Sequence, residues 1–315
     1  MKRILITTGD ADGIGFEVTA KALNKIGPKK NVQFYYYKNP LTEKKYLSII
    51  KKKFKIKKFS SIEDALGESP QDKTIFEIES SSNPALCFEE GVKYAKNKFF
   101  NAIVTAPLSK ELIQEAGLSD RGHTDIMRRI LNQEKNIYMA FIGNLFSLIL
   151  VSDHLSIRDV PSKISKDHLL DIFSSADAFL KNLKLPKNKQ RIGVLGLNPH
   201  AGEIKNLGFE DREIIAPAIL SAQKNKFPVF GPLVPDVAFQ DSHYQKYGVF
   251  IAMYHDQGLI PFKILHKKQH GVQVSLNTPF VRTSVDHGTA KDIFGKGKAD
   301  AGSMIKAIQT ALKLV

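Results

Sequence analysis

Apolar residues in this chain fall into short runs, each halted by a glycine, a proline or a polar cluster. Runs at 2–8, 32–37, 101–107, 191–197 and 249–254 read as buried strands, and 272–278 alternates as a half-buried one. A further strand is predicted before residue 78. Helical spacing predicts helices at 16–24, 41–53, 83–98, 126–131, 166–183, 211–224 (bent by Pro217) and 301–314, with another ending near Gly117. The pair Gly143-Asn144, between apolar runs 137–142 and 145–151, predicts a hairpin. Residues 231–236, with two prolines, read as a rigid loop. Strands that alternate with helices predict an α/β fold with a largely parallel sheet.

Ligands of open α/β sheets sit outside the carboxyl ends of strands, so the polar clusters there are the first candidates. Run 249–254 ends in His255-Asp256-Gln257-Gly258, with Lys263 eight residues beyond the histidine. Run 145–151 ends in Ser152-Asp153-His154, and run 191–197 in Asn198-Pro199-His200-Ala201-Gly202-Glu203. Each of these imidazoles has an acid nearby: Asp153, Glu203 or Asp256. Neutral imidazoles suit zinc and similar ions, a carboxylate on the second ring nitrogen fixes the tautomer, and three protein ligands leave positions open for substrate oxygens. Intervals of 46 and 55 residues are too long for a local metal motif. Each histidine is equally read as an ordinary buried or surface residue, and His123 and His287 compete as ligands.

Anion chemistry has its own candidates. Arg282 can fork two hydrogen bonds to a phosphate, with Thr283, Ser284 and Lys263 as further donors; the alternative is a structural pairing of Arg282 with Asp286. His123 and Thr124 stand at a helix start and can donate to an anion; the alternative is that Thr124 or Asp125 caps that helix. The glycine loop at 9–15 is neither G-x-G-x-x-G nor a Walker loop, and a turn that packs helix against strand explains it equally well.

Composition narrows the class. A chain of 315 residues, 43% apolar, can fill two α/β domains. The single Cys87 excludes a disulfide framework and fits a reducing cytoplasm. The basic start is followed at once by an acid, unlike a signal peptide. No apolar stretch reaches the ~20 residues of a membrane helix. A soluble cytoplasmic protein is expected. The net charge of +14 is concentrated in lysines at 51–58. That charge alone would suit a nucleic-acid binder, but no zinc-finger spacing, RNP motif or glycine-arginine tail accompanies it. A positive surface also draws in a small anionic substrate or a dinucleotide.

Taken together, Gly122-His123-Thr124-Asp125, Ser152-Asp153-His154, 197–203, Tyr254-His255-Asp256-Gln257-Gly258 and 282–290 resemble the 4-hydroxythreonine-4-phosphate dehydrogenase (PdxA) family of vitamin B6 biosynthesis. The resemblance runs from Gly9-Asp10 to the last helix. It implies an isocitrate/isopropylmalate dehydrogenase-like fold: two interwoven α/β domains with a cleft between them, the first from 1–120 plus 283–315, the second from 121–282. The second would carry most of the metal and substrate site and the interface of a homodimer. It implies NAD(P)-dependent oxidation of 4-phosphooxy-L-threonine to 2-amino-3-oxo-4-phosphooxybutanoate, which decarboxylates to 3-amino-2-oxopropyl phosphate. It implies a divalent metal (Zn, Mg or Co) on His154, His200 and His255, with one ligand supplied across the dimer interface. His123, Thr124, Lys263, Gln273 and Arg282 match substrate-binding positions, Asp236 and Asp256 match catalytic ones, and no dinucleotide contact is assigned.

This sequence departs from the family at three places. Asp12 adds an acid to the first glycine loop, Gln273 stands where asparagine is usual, and 31–58 is unusually lysine-rich. Other readings remain: a paralogue acting on threonate or erythronate 4-phosphate, a metal-dependent hydrolase or aldolase, and a basic nucleic-acid-binding protein.

Overall fold

A computed structural model describes all residues except 39–40, 42–43, 81–82, 133–136, 204–206 and 267–270. The expected start of the helix at 41–53 falls partly outside the described residues, and that helix is described over Lys44–Lys51. The strands are β1 (Lys2–Thr7), β2 (Val32–Lys38), β3 (Lys55–Phe59), β4 (Thr74–Glu79), β5 (Ala102–Thr105) and β6 (Tyr138–Ile142). They continue as β7 (Ser147–Leu150), β8 (Ile192–Leu195), β9 (Val229–Leu233), β10 (Val249–Ala252), β11 (Val272–Leu276) and β12 (Val281–Ser284).

The chain forms two compact units, Met1–Ile137 with Val272–Val315, and Tyr138–Gly271. The first takes both ends of the chain and the second is one insertion. The boundaries differ from the expected ones, because 121–137 and 272–282 belong to the first unit. The physical reason is packing. Ile126, Met127, Leu131 and Ile137 are buried in the first unit's core beside Phe88 and Ile103, and β12 pairs with β5 in parallel and with β11 antiparallel.

In the first unit the strand order is β3-β4-β2-β1-β5-β12-β11. β3, at its edge, reads Lys-Ile-Lys-Lys-Phe. Lysines along an edge strand discourage pairing with another chain. Lys57 pairs with Glu68 at 2.5 Å, and Lys58 and Lys38 share Glu79 at 3.2 and 3.0 Å. Much of the lysine cluster is therefore a charged sheet edge with its own acids.

In the second unit the order is β6-β7-β10-β8-β9. The expected hairpin is present, with β6 antiparallel to β7. β7, β10 and β8 are neighbours and parallel, which brings their carboxyl ends to one edge. Phe146, Phe250 and Phe262 lie in this unit's core, and each such buried side chain contributes roughly 1.5–3 kcal/mol.

Elements differ from expectation at several points, β12 (Val281–Ser284) among them. The polar stretch after β10 is a helix, His255–His266, with Pro261 inside it. Gly258 lets this helix lie close on the sheet: a Cβ there would stand 2.7 Å from Leu148 side-chain atoms and 2.9 Å from the Ala252 Cβ. The expected loop at 231–236 is largely the parallel strand β9 followed by a short helix, Pro235–Ala238. Among the described residues, no helix is long and apolar enough to cross a membrane.

Candidate active site

The first unit builds an anion receptor around Arg282. Its strand, β12, lies between β5 and β11, which leaves the side chain 1% exposed. Nη2 donates to the Thr105 hydroxyl at 2.7 Å and Nη1 to Gln273 Oε1 at 3.2 Å, while Nε has no partner. Among the described residues no carboxylate pairs with it. Asp286 is exposed, and its backbone N–H donates to the Ser303 hydroxyl at 3.1 Å. Burial pulls the guanidinium from its ordinary 12.5 down to about 9. An uncompensated buried charge is costly, and an anionic ligand is the natural compensation.

His123 stands beside this charge. Burial first, and then the Arg282 charge, push its imidazole well below the ordinary histidine range, so it is neutral at pH 7. Its ring meets Phe88 edge-on at 4.6 Å. The helix His123–Leu131 begins on Gly122 with no side-chain cap. Asp125 does not cap it: its carboxylate takes Arg121 at 3.1 Å and Arg128 at 3.3 Å. The first backbone N–H groups, at His123 and Thr124, are therefore free of a side-chain cap, as anion sites at helix starts require. Gln273, the departure from asparagine, uses its amide oxygen on Arg282.

In the glycine loop, the extra acid Asp12 pairs with Lys291 at 3.0 Å, and Lys291 also reaches Asp10 at 3.3 Å. Gly15 serves close packing, since a Cβ there would lie 1.9 Å from the Thr8 carbonyl oxygen.

In the second unit the three expected histidines follow the neighbouring ends of β7, β10 and β8. The rings of His154 and His255 lie 5.7 Å apart between centroids, tilted by 44°. Two imidazoles on one tetrahedral ion, with bonds of ~2.0–2.1 Å, have centroids roughly 5–6 Å apart. Asp256 Oδ1 lies 2.7 Å from His255 Nδ1. With the proton on Nδ1, Nε2 keeps its lone pair for a ligand, the usual arrangement of a metal-binding histidine. This pair fits a borderline divalent ion in donor type and spacing.

His200 is exposed on the turn Pro199–Gly202. Its φ is +56°, followed by Ala201 at +50° and Gly202 at +76°. Among the described residues no group of three His, Cys, Asp or Glu side chains is disposed to hold a metal. The structure thus brings together two of the expected ligands and sets the third on the adjacent strand end. Asp153 accepts from the backbone N–H of His154 at 2.8 Å, and Glu203 is exposed. His287 bonds its neighbour's carbonyl, Gly288 O, at 2.9 Å. Lys263, two turns along the helix from His255, is exposed, and so is Asp236.

Two residues here escaped the sequence reading. Thr105 looks like the polar end of a strand, yet it holds Arg282. Asp211 looks like a helix-start acid, yet it is fully buried, and its carboxylate accepts the N–H groups of Leu197 at 2.7 Å and Asn198 at 2.9 Å. An acid preceding an apolar-spaced helix is too common a pattern to have singled it out.

Comparisons with known proteins bear on the family and the fold. The family model described as "Pyridoxal phosphate biosynthetic protein PdxA" matches residues 18–311. The chain is 34% identical over 323 residues to a 4-hydroxythreonine-4-phosphate dehydrogenase of Sulfurihydrogenibium sp., covering 100% of this chain and 98% of that protein. It is 33% identical to the D-threonate 4-phosphate dehydrogenase of Salmonella typhimurium, with 99% of each covered. The crystal structure of 4-hydroxythreonine-4-phosphate dehydrogenase from Klebsiella pneumoniae superposes with a TM-score of 0.78 at 30% identity, covering 99% of this chain and 98% of that one. An isocitrate dehydrogenase from Methylococcus capsulatus, 14% identical, shares the fold at a TM-score of 0.54 over 99% of this chain and 85% of its own. With full-length relatives, a shared fold and a family match over nearly its whole length, the chain belongs to the PdxA family of pyridoxal phosphate biosynthetic proteins.

Proposed function

We propose that the chain is a dehydrogenase that oxidises 4-phosphooxy-L-threonine with NAD or NADP to 2-amino-3-oxo-4-phosphooxybutanoate, which loses CO₂ to give 3-amino-2-oxopropyl phosphate. The observation that carries this reading is Arg282, a buried guanidinium with no carboxylate partner among the described residues and a neutral histidine beside it. Such a group calls for a phosphate. Arg282 and the open helix start at His123 and Thr124 bind the phosphate, and Gln273 and Thr105 hold the guanidinium fork in place. Lys263 offers a further cation to substrate anions.

His154, His200 and His255 would hold a divalent ion (Zn, Mg or Co), which supplies Lewis acidity at the substrate hydroxyl and, later, at the ketone. Asp256 fixes the His255 tautomer, and Asp236 is the freer carboxylate to take the hydroxyl proton. Bound NAD or NADP supplies the hydride acceptor. A homodimer completes the reading, with a partner sharing the metal site. Ile260 and Ile264, 55% and 64% exposed one turn apart on the helix that begins at His255, provide an apolar face for it.

The second reading, oxidation of threonate 4-phosphate, is favoured by the 33% identity to the Salmonella typhimurium enzyme. The two substrates differ at C2, amine against hydroxyl. Reduced nicotinamide formation measured with each in turn separates them. Turnover of the amino acid phosphate in clear preference to threonate 4-phosphate supports the first reading. The reverse preference supports the second, and no reduction of NAD or NADP with either refutes both.

A further inference from the structure

The three strand ends that carry the histidines are joined by hydrogen bonds outside the sheet ladder. The Ser152 hydroxyl donates to the Met253 carbonyl at 2.7 Å and its backbone N–H to the same oxygen at 3.2 Å, which ties the end of β7 to that of β10. The ladder between β10 and β8 ends at the pair Ile251–Val194. Beyond that pair Gln257 spans the gap: its Oε1 accepts the Met253 N–H at 2.7 Å, and its Nε2 donates to the Gly196 carbonyl at 2.6 Å. Only one amide orientation satisfies both partners.

From Gly196 the chain passes directly to Leu197 and Asn198, whose backbone N–H groups are held by buried Asp211 together with the Asn198 side chain at 2.9 Å. His200 follows in the left-handed region. For a non-glycine residue that conformation persists only where the surroundings over-determine it, and Asp211 and Gln257 provide the fixed base from which the turn departs.

We propose that Gln257 is a positioning residue for the metal histidines: it joins the His255 turn to the His200 turn and fixes the backbone from which each of these ligands departs. The inference rests on the metal reading above. Both polar atoms of Gln257 are engaged by backbone, so it acts through the turns it joins and not as a ligand. Leucine at this position keeps the bulk and loses both bonds. Glutamate keeps the acceptor for Met253 and turns an oxygen toward the Gly196 carbonyl.

The test is Co(II) binding to the metal-free full-length protein, followed by visible absorption, in wild type, Gln257→Leu, Gln257→Glu and His255→Ala. The expected result is that both Gln257 variants unfold cooperatively, bind Co(II) at least tenfold more weakly and give altered absorption bands, while His255→Ala shows no such bands. A purely structural role would lower the melting temperature and leave the Co(II) spectrum unchanged. Wild-type affinity and spectrum in Gln257→Glu, with His255→Ala impaired, overturn the proposal and leave the metal reading standing. Wild-type binding by His255→Ala, or none by the wild type, sinks the metal reading and the proposal with it. Should the leucine variant fail to fold, the glutamate variant alone decides.

Discussion

Replacing Arg282 by methionine separates a ligand-binding arginine from a structural one. The fall from 12.5 to about 9 corresponds to roughly 5 kcal/mol of penalty for holding the charge in the interior, at ~1.4 kcal/mol per pH unit. Against this stand two charge-assisted bonds, to Thr105 and Gln273, each contributing about 1.5–3 kcal/mol. The two sums nearly cancel, so Arg282→Met is expected to unfold within about 2 kcal/mol of wild type. Breaking a buried ion pair, by contrast, costs about 3–5 kcal/mol. The same denaturant titration repeated with inorganic phosphate reads the function. At ten times its dissociation constant, phosphate should stabilise the wild type by about 1.4 kcal/mol and the variant not at all. A variant that loses 3–5 kcal/mol and still responds fully to phosphate would refute the anion-receptor argument.

Three further outcomes follow from particular residues. His123 has its folded-state pKa depressed below the ordinary 6.5, so the unfolded chain gains a proton as pH falls through about 6.5 and the folded chain does not. Stability should therefore decline below that pH, and His123→Gln should flatten the decline in a pH series of thermal melts. Gly258→Val should lower stability by about 1–3 kcal/mol in urea titrations, because its side chain would collide with Leu148 and Ala252; an unchanged midpoint would contradict the close helix packing. Asp211→Ala leaves the buried N–H groups of Leu197 and Asn198 without their acceptor, a loss of about 1–3 kcal/mol, readable as faster amide exchange at those two positions.

The strands were legible because each is a short apolar run, and the polar strand ends stood out against them. The helix His255–His266 was not, because Gly258 and Pro261 argue locally against a helix. Its formation depends on the close fit of Gly258 to Leu148 and Ala252, which is tertiary. β12 was hidden by Arg282, Thr283 and Ser284, polar residues in a buried strand. Their partners, Thr105 and the Ala307 carbonyl, lie more than a hundred and about twenty residues away respectively. The proximity of the three histidine-bearing turns depends on β10 inserting between β7 and β8, and chain order carries no trace of that. The lone guanidinium was visible as a candidate in the motif. That no carboxylate among the described residues pairs with it follows from the fold, which leaves Asp286 exposed.

The central claim is that divalent-metal binding by the strand-end histidines is required to oxidise a phosphorylated hydroxy acid. The most direct measurement is NAD(P)H formation from 4-phosphooxy-L-threonine before and after removal of metal with a chelator, and again after stoichiometric Zn, Mg or Co is returned. The account predicts that turnover disappears on chelation, returns with at least one of these ions in the wild type, and does not return in His154→Ala or His255→Ala. Undiminished turnover by the metal-free enzyme, or full recovery in either histidine variant, would contradict it.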